Sequence, residues 1–188
     1  MKVLYEIIKT ELNEDLISFS ILSGGSINRV YKCSSEHRQF VIKLNDAREY
    51  PLMFEKEERG LALLNLSNFR IPTVLNKGTN QNISYLMLEH IDDNGNTINE
   101  IELGTKLAEM HRITSDLFGL DHDNYIGAIP QINNRKADWS SFYQSMRLEP
   151  LVKKGFDLGC IETKTLRLFD KFYKELDNLI PVEPPSLL

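Results

Sequence analysis

Apolar and polar positions follow two different periods over the first ninety residues. Residues 2–12 have apolar positions at helical spacing with charged residues between them, which predicts a short amphipathic helix. Three runs of β-type composition follow at 19–23, 29–34 and 39–44. A glycine-rich turn separates the first two runs and a polar turn separates the second from the third. The pattern therefore predicts a three-stranded antiparallel meander.

A helical period returns over residues 52–66, where charged residues come first and Leu61 and Leu64 supply the apolar stripe. Pro72 then breaks the chain, and two further strands are predicted at 74–75 and 84–89. The segment 76–82 between them is rich in turn-forming residues. Residues 1–91 are therefore expected to form a five-stranded antiparallel sheet with one internal helix between the third and fourth strands.

Beyond residue 91 the pattern changes from strands to helices. Residues 92–99 form a polar, turn-forming connector, and helical apolar stripes follow around Leu107, Phe142 and Phe172. The irregular stretch 115–138 is too long for a plain connector, which predicts a structured functional or packing loop. The predicted fold class is α+β, with one unit at 1–91 and a helical unit at 92–188.

Composition narrows the classes of function. Of 188 residues, 41% are apolar and 26% charged, as in soluble globular proteins, and the net charge of −5 argues against nucleic acid as a partner. No run approaches the roughly 18 apolar residues that a membrane span needs, and the N-terminus does not resemble a signal peptide. The two cysteines, Cys33 and Cys160, lack metal-type spacing and are expected to be free thiols. A cytoplasmic protein without membrane partners is the default expectation.

The order of the predicted elements points to a particular chemistry. A strand, a glycine-rich turn and a strand are followed by a strand bearing Lys43, a helix bearing Glu57 and a strand that enters the polar connector. That is the layout of a protein-kinase-like N-lobe, in which a strand lysine neutralises nucleotide phosphates and a helix glutamate holds the lysine. His111 lies outside this layout and is expected to be a buried structural histidine.

The glycine-rich turn contains Gly24, Gly25 and Ser26. Glycines let the backbone approach phosphate oxygens and offer their amides as donors, and Ser26 could add a hydroxyl donor. A plain hairpin turn remains the alternative for this segment. Lys43 likewise has two interpretations: a solvated lysine on a strand, or a cation aimed at phosphates.

The helix after Lys43 offers three glutamates, and Glu57 is preferred because it lies four residues before Leu61 and so projects beside the apolar stripe. Glu55 and Glu58 are expected on a solvated face. In a kinase-like lobe the strand 84–89 would lead to the adenine site; an interior strand without a ligand is the alternative. Three residues are candidates for the adenine site: Leu88 at the gatekeeper position, and Glu89 and Ile91, whose backbones would face the adenine edge.

Three segments resemble the fructosamine kinase (ketosamine kinase) family. These segments are 22–31 (LSGGSINRVY), 40–43 (FVIK) and an ordered set of matches from Phe118 to Leu148. The last set includes Trp139, Phe142 and Arg147, of which the aromatic residues could be core or could border a substrate. The resemblance implies a fold related to aminoglycoside phosphotransferases and protein kinases.

The implied activity is phosphorylation, with ATP and Mg²⁺, of a sugar hydroxyl on a ketosamine. By the same resemblance Asn28 joins Gly24, Gly25 and Ser26 at the phosphates, and Lys43 and Glu57 form the ion pair. Glu89 and Ile91 would face the adenine.

The family's catalytic loop, His-Gly-Asp-Leu-Trp-Ser-Gly-Asn, follows a Pro-Ser-Leu-Leu segment like residues 185–188. The catalytic aspartate and the metal ligands are therefore expected beyond Leu188, and no catalytic or metal-binding residue is assigned here. The 188 residues are expected to comprise the N-lobe and a truncated C-lobe, able to hold ATP but inactive in transfer alone. The alternatives are a related aminoglycoside- or choline-type kinase, and a non-catalytic nucleotide-binding or interaction module.

Overall fold

The computed structural model of the chain describes residues 2–23, 27–92, 95 and 99–186. The chain forms two compact units, one comprising Met1–Leu103 and Tyr125–Ile129, the other Gly104–Asn124 and Pro130–Leu188. A short segment from the later part of the chain thus packs with the first unit. The predicted lobe boundary after residue 91 stays a prediction.

The first unit has the predicted order of elements. Its helices and strands are α1 (Lys2–Leu12), β1 (Leu16–Leu22), β2 (Arg29–Ser35), β3 (Gln39–Asp46), α2 (Met53–Leu64), β4 (Val74–Asn80) and β5 (Ile83–Glu89). The strands form one antiparallel sheet in the order β1-β2-β3-β5-β4. The five predicted strands and the internal helix are confirmed.

The main difference from the sequence prediction concerns β4. Residues 76–80 were expected in a turn, but they continue the strand and pair with β5 as far as Asn80. The turn is confined to the residues around Gln81, whose φ is +55°. Turn-type side chains are tolerated here because β4 is an edge strand, where backbone pairing with one neighbour suffices. Gly78 also leaves room for the ring of Tyr85, its partner on β5.

The sheet separates two apolar clusters. One face packs on α1 and contains Phe40, Ile42 and Leu44 of β3 among its buried side chains. On the opposite face, Leu86 and Leu88 of β5 pack with a buried phenylalanine of α2. Since successive side chains of a strand point to opposite faces, burying Ile42 and Leu44 on the α1 side turns the residue between them towards α2.

The remaining elements are mainly helical. They are α3 (Glu100–His111), β6 (Asn124–Ile126), β7 (Ile129–Gln131), α4 (Trp139–Tyr143), a π-helical turn (Gln144–Leu148), α5 (Glu149–Asp157) and α6 (Thr163–Leu179). The irregular stretch is structured: it contains the β6–β7 hairpin and a bridge between Phe118 and Lys136. Helix α5 was not predicted, because its apolar stripe is short. None of the helices in the described ranges is long and apolar enough to cross a membrane.

One expectation about the second unit is wrong. His111 was expected to be buried, but its side chain is exposed at the end of α3. No described residue of α3 is buried in this structure. The apolar stripe around Leu107 therefore predicted the helix correctly, but the expected burial of its last turn is not observed.

Candidate functional site

Lys43 lies in the middle of β3, between Val30 on β2 and Leu86 on β5. Its Nζ donates to Oε1 of Glu57 at 2.5 Å, and the side chains are 27% and 25% exposed. The contact joins the central strand of the sheet to the second turn of α2. The ion pair expected from the sequence is therefore present, with a cation that is held in place and yet partly open to a ligand.

A second pair lies beside the first. Glu58, which was expected on a solvated face, accepts from Lys77 of β4 at 2.7 Å. Lys77 pairs with Leu86 across the sheet, so Leu86 lies between Lys43 and Lys77. Successive glutamates of α2 are thus bound to two lysines on the same cross-strand row.

A buried polar network occupies the neighbouring row on the same face. Asn45, which is only 4% exposed, donates from Nδ2 to Oδ1 of Asn28 at 3.2 Å and to Sδ of Met53 at 3.2 Å. Its Oδ1 accepts from the hydroxyl of Ser84. Asn45 thereby links the residue just after the glycine-rich turn to β5 and to the first residue of α2. Sequence reasoning missed Asn45, although its place two residues after Lys43 was a usable signal.

The predicted glycine-rich turn is not among the residues that the structure describes. Gly24, Gly25 and Ser26 lie outside the described residues, so their phosphate-binding role stays a prediction. Asn28, which follows the turn, is described and belongs to the network around Asn45.

The three residues predicted to contact adenine have different surroundings. Leu88 is 6% exposed and packs in the cluster under α2, whereas Ile91 is 44% exposed. The amide of Glu89 donates to the carbonyl of Thr73 at 2.8 Å, so any backbone contact of Glu89 with a ligand would use its carbonyl oxygen. The gatekeeper and adenine-edge roles stay predictions.

The side chain of Glu89 forms structural hydrogen bonds that were not predicted from the sequence. Its carboxylate accepts from the amide and, at 3.0 Å, the hydroxyl of Thr73, and from the guanidinium of Arg70. These bonds hold the pKa of Glu89 below its usual value, and the hydrogen bonds from Thr73 have the largest effect. Glu89 thus anchors the segment that leads into β4.

The tip of the β6–β7 hairpin packs on the start of α2 within the first unit. Tyr125 donates from Oη to the carbonyl of Pro51 at 3.1 Å, and Nζ of Lys56 lies 4.6 Å from the centre of its ring. Tyr50 meets the same ring edge to face, with centroids 6.4 Å apart. The helix that carries Glu57 is therefore held from two sides, by the sheet and by this hairpin.

Several of the Phe118–Leu148 matches that lie in the second unit form one structural motif. Asn133, which is 6% exposed, donates from Nδ2 to the carbonyl of His122 at 2.8 Å, and its Oδ1 accepts from Arg147. The guanidinium of Arg147 lies 4.6 Å from the ring centre of Phe142, and burial lowers its pKa. Gly119, at φ +97°, leaves the space that the Phe142 ring fills.

The aromatic group in this segment combines core and surface. Phe142 is 3% exposed and belongs to the core, which is one of the two roles that the sequence left open for this residue. Trp139 is 37% exposed and stacks on Tyr143 with centroids 5.3 Å apart and ring planes 13° apart. A role for Trp139 beside a substrate stays a prediction.

The arrangement in the first unit suits an anion. A fixed lysine and neighbouring amide donors neutralise and orient phosphate groups without themselves changing during the reaction. Among the described residues, no cluster of three or more His, Cys, Asp or Glu side chains could hold a metal ion. Both cysteines are free, and burial raises the pKa of the Cys33 thiol to about 12.

Comparison with known proteins places the chain in a family. The model of the fructosamine kinase family matches residues 3–188. The chain belongs to the fructosamine kinase family. It is 34% identical over 165 residues to the chloroplastic protein-ribulosamine 3-kinase of Arabidopsis thaliana, covering 86% of this chain and 49% of that protein. The corresponding rice protein (Oryza sativa subsp. japonica) is 34% identical over 169 residues, covering 87% and 47%. The chain thus spans about half the length of these curated relatives.

Solved structures confirm the kinase-like α+β fold of this fructosamine kinase family member. A protein of Thermobifida fusca assigned as a fructosamine-3-kinase superposes with a TM-score of 0.85 at 24% identity, covering 100% of this chain and 66% of that chain. An aminoglycoside phosphotransferase solved with AMP-PNP and hygromycin B gives a TM-score of 0.55 at 12% identity, covering 87% and 55%. The resemblance to both groups of kinases is therefore confirmed for the fold.

Proposed function

We propose that this chain carries the ATP-holding part of a ketosamine kinase, which transfers the terminal phosphoryl group of ATP to a sugar hydroxyl of a ketosamine. The observation that carries the proposal is the 2.5 Å contact between Lys43 and Glu57, each only about a quarter exposed. In this role Lys43 neutralises the nucleotide phosphates, and Glu57 keeps its ammonium group at the site.

The residues fit ATP by their chemistry. Lys43 supplies a positive charge on the face of the sheet that packs with α2, and Asn28 supplies an amide beside it. An aminoglycoside phosphotransferase of the same fold was solved with AMP-PNP, an ATP analogue. Gly24, Gly25 and Ser26 are proposed to contribute donors to the phosphates, and Leu88, Glu89 and Ile91 to border the adenine.

Mg²⁺ would screen the charge of the phosphates when it is bound with ATP. Because no metal ligand and no catalytic base is assigned among the described residues, the role proposed for them is nucleotide binding and charge neutralisation. The ketosamine acceptor is proposed from the family and from relatives described as ribulosamine kinases. A cytoplasmic location likewise stays a prediction.

Calorimetric titration with ATP tests the proposal, with Lys43→Ala and Lys77→Ala compared with the unmodified chain. Lys77 is a matched control because it lies in the same cross-strand row and also binds a glutamate of α2. We expect Lys43→Ala to raise the Kd for ATP at least about tenfold, which corresponds to roughly 1.4 kcal/mol, and Lys77→Ala to change it less than about twofold. Equal effects of the two substitutions would contradict the proposal.

A further inference from the structure

The network around Asn45 has a fixed direction of hydrogen bonding. One amide atom of Asn45 lies 3.2 Å from both Sδ of Met53 and Oδ1 of Asn28. A thioether sulfur accepts hydrogen bonds and has no hydrogen to donate, so the atom that faces Met53 must be Nδ2. The carbonyl oxygen of Asn45 then faces Ser84, whose hydroxyl donates to it.

The orientation of the Asn45 amide determines the orientation of the Asn28 amide. Since Asn45 presents Nδ2, the atom of Asn28 that meets it must be an acceptor, and it is Oδ1. With its Oδ1 bound to Asn45, Asn28 has Nδ2 as the side-chain atom that can donate to a ligand. An asparagine held in the opposite sense would present its carbonyl oxygen, which repels a phosphate and suits a cation.

The network is also placed to hold this orientation firmly. Asn45 and Ser84 are 4% and 7% exposed, so water does not compete effectively for their hydrogen bonds. They are direct neighbours on β3 and β5, and extending the β2–β3 register by one pair places Asn28 opposite Asn45. The three side chains therefore form one row across the sheet, which is the next row on the same face as the row that contains Lys43.

We propose that Asn45 is a positioning residue that fixes Asn28 as a hydrogen-bond donor to the phosphate groups of ATP. The inference rests on the proposed nucleotide-binding function and extends it from Lys43 to the neighbouring row. Met53, which can only accept, determines the orientation of the Asn45 amide, and the hydroxyl of Ser84 donates to the oxygen that this orientation presents.

The test is an ATP titration of four chains: the unmodified chain, Asn28→Ala, Asn45→Asp and the double variant. Asn45→Asp keeps the shape but puts an acceptor in place of Nδ2, so Asn28 must turn and donate to it. We expect the Kd for ATP to rise about tenfold in either single variant, the loss typical of a hydrogen bond to a charged group. Because the carboxylate of Asn45→Asp also repels phosphate directly, the double variant that decides the test is Asn28→Ala with Asn45→Ala. It should bind ATP like Asn28→Ala, because Asn45 acts only through Asn28.

A purely structural role of Asn45 would lower ATP affinity in the Asn28→Ala background as well, and that result would overturn the inference. Asn45→Ala adds no charge beside the phosphates, and it also serves if the buried carboxylate of Asn45→Asp prevents folding. It leaves Asn28 unrestrained, and its effect on ATP affinity should also vanish in the Asn28→Ala background.

Including Lys43→Ala in the same series separates the two proposals. If Lys43→Ala weakens ATP binding while Asn45→Asp and Asn28→Ala do not, the inference about Asn45 is wrong and the proposed function stands. If the unmodified chain binds no ATP, the proposed function is wrong, and the inference that depends on it is wrong too.

Discussion

Lys43 and Lys77 lie on the same cross-strand row of the sheet, one on each side of Leu86, and they bind the successive glutamates Glu57 and Glu58 of α2. The two pairs hold the helix against the sheet in similar ways. They differ in position, because Lys43 is on the central strand β3 next to the Asn45 network, whereas Lys77 is on the edge strand β4. A difference in ATP affinity between variants of the two lysines would therefore result from their positions in the sheet, since both lysines are paired with a glutamate.

The glutamate partners provide the first prediction. Glu57→Gln removes the charge that holds Lys43, so the lysine is placed less firmly and the Kd for ATP should rise about fivefold, or roughly 1 kcal/mol. Glu58→Gln is the matched control and should change the Kd less than about twofold. Calorimetry measures both variants, and a larger loss in Glu58→Gln than in Glu57→Gln would contradict the assignment.

Gly119 should be intolerant of a side chain. Its φ is +97°, and a Cβ there would lie 2.6 Å from Cε2 of Phe142, a ring that is 3% exposed. Strain in the backbone and overpacking together predict that Gly119→Ala lowers the free energy of unfolding by about 2–4 kcal/mol.

The control for Gly119 is Gly104→Ala, where a Cβ would meet nothing within 4 Å in α3. That substitution should leave stability unchanged or raise it by up to about 1 kcal/mol, because alanine favours a helix over glycine. Urea unfolding measures both variants. Equal stabilities for the two would show that the Phe142 ring can move away from Gly119 at little cost.

Glu14 should make stability depend on pH in the acid range. Its carboxylate is 6% exposed, accepts from the hydroxyl of Ser35 and pairs with Arg38 at 2.7 Å; the bond from Ser35 chiefly lowers its pKa below the usual 4.5. A carboxyl whose pKa is depressed in the folded state stabilises above its unfolded pKa and loses this effect as pH falls through the folded pKa. The free energy of unfolding should therefore decrease as pH is lowered from 4.5.

Glu14→Gln should flatten this acid dependence. Glu6→Gln is the control, since Glu6 lies in an exposed pair with Lys2 at 3.7 Å. Urea unfolding at a series of pH values gives the two slopes. An acid dependence in Glu14→Gln as steep as in the unmodified chain would show that other groups are responsible.

Tyr125 should stabilise the first turns of α2. Tyr125→Phe removes only the hydrogen bond to the carbonyl of Pro51, whereas Tyr125→Ala also removes the ring under Lys56. We expect amide hydrogen exchange near the start of α2 to accelerate about threefold in Tyr125→Phe and at least about tenfold in Tyr125→Ala. Unchanged exchange in Tyr125→Ala would mean that the hairpin does not support the helix.

The contact between Lys43 and Glu57 could be predicted because it depends on local rules. Ile42 and Leu44 enter the core beneath α1, so alternation turns Lys43 to the other face, and helical spacing places Glu57 beside Leu61. These periods need no knowledge of the tertiary structure. The succession of strands along the chain and the position of α2 between the third and fourth strands followed from the same periods, whereas the pairing of β5 with β3 was not predicted.

The other parts of the site depend on residues far apart in the chain. Asn45 meets Ser84, 39 residues away, and Tyr125 meets Pro51, 74 residues away. No local period marks such contacts, and they become visible only when the register of the sheet and the place of the hairpin are known. The continuation of β4 was missed for a related reason, since pairing with β5 outweighed the turn-forming composition of residues 76–80.

The proposed function depends on Lys43 being the lysine at the phosphates of ATP. An acyl-phosphate derivative of ATP tests it directly, because the amine nearest the terminal phosphate attacks the acyl carbon, takes the acyl group and releases ATP. Mass spectrometry of the digested chain then identifies the acylated lysine. We expect labelling of Lys43 that excess ATP suppresses, with Lys77 labelled only at the background level. Suppressible labelling of Lys77, or labelling of Lys43 that ATP does not suppress, would contradict the proposed role of Lys43.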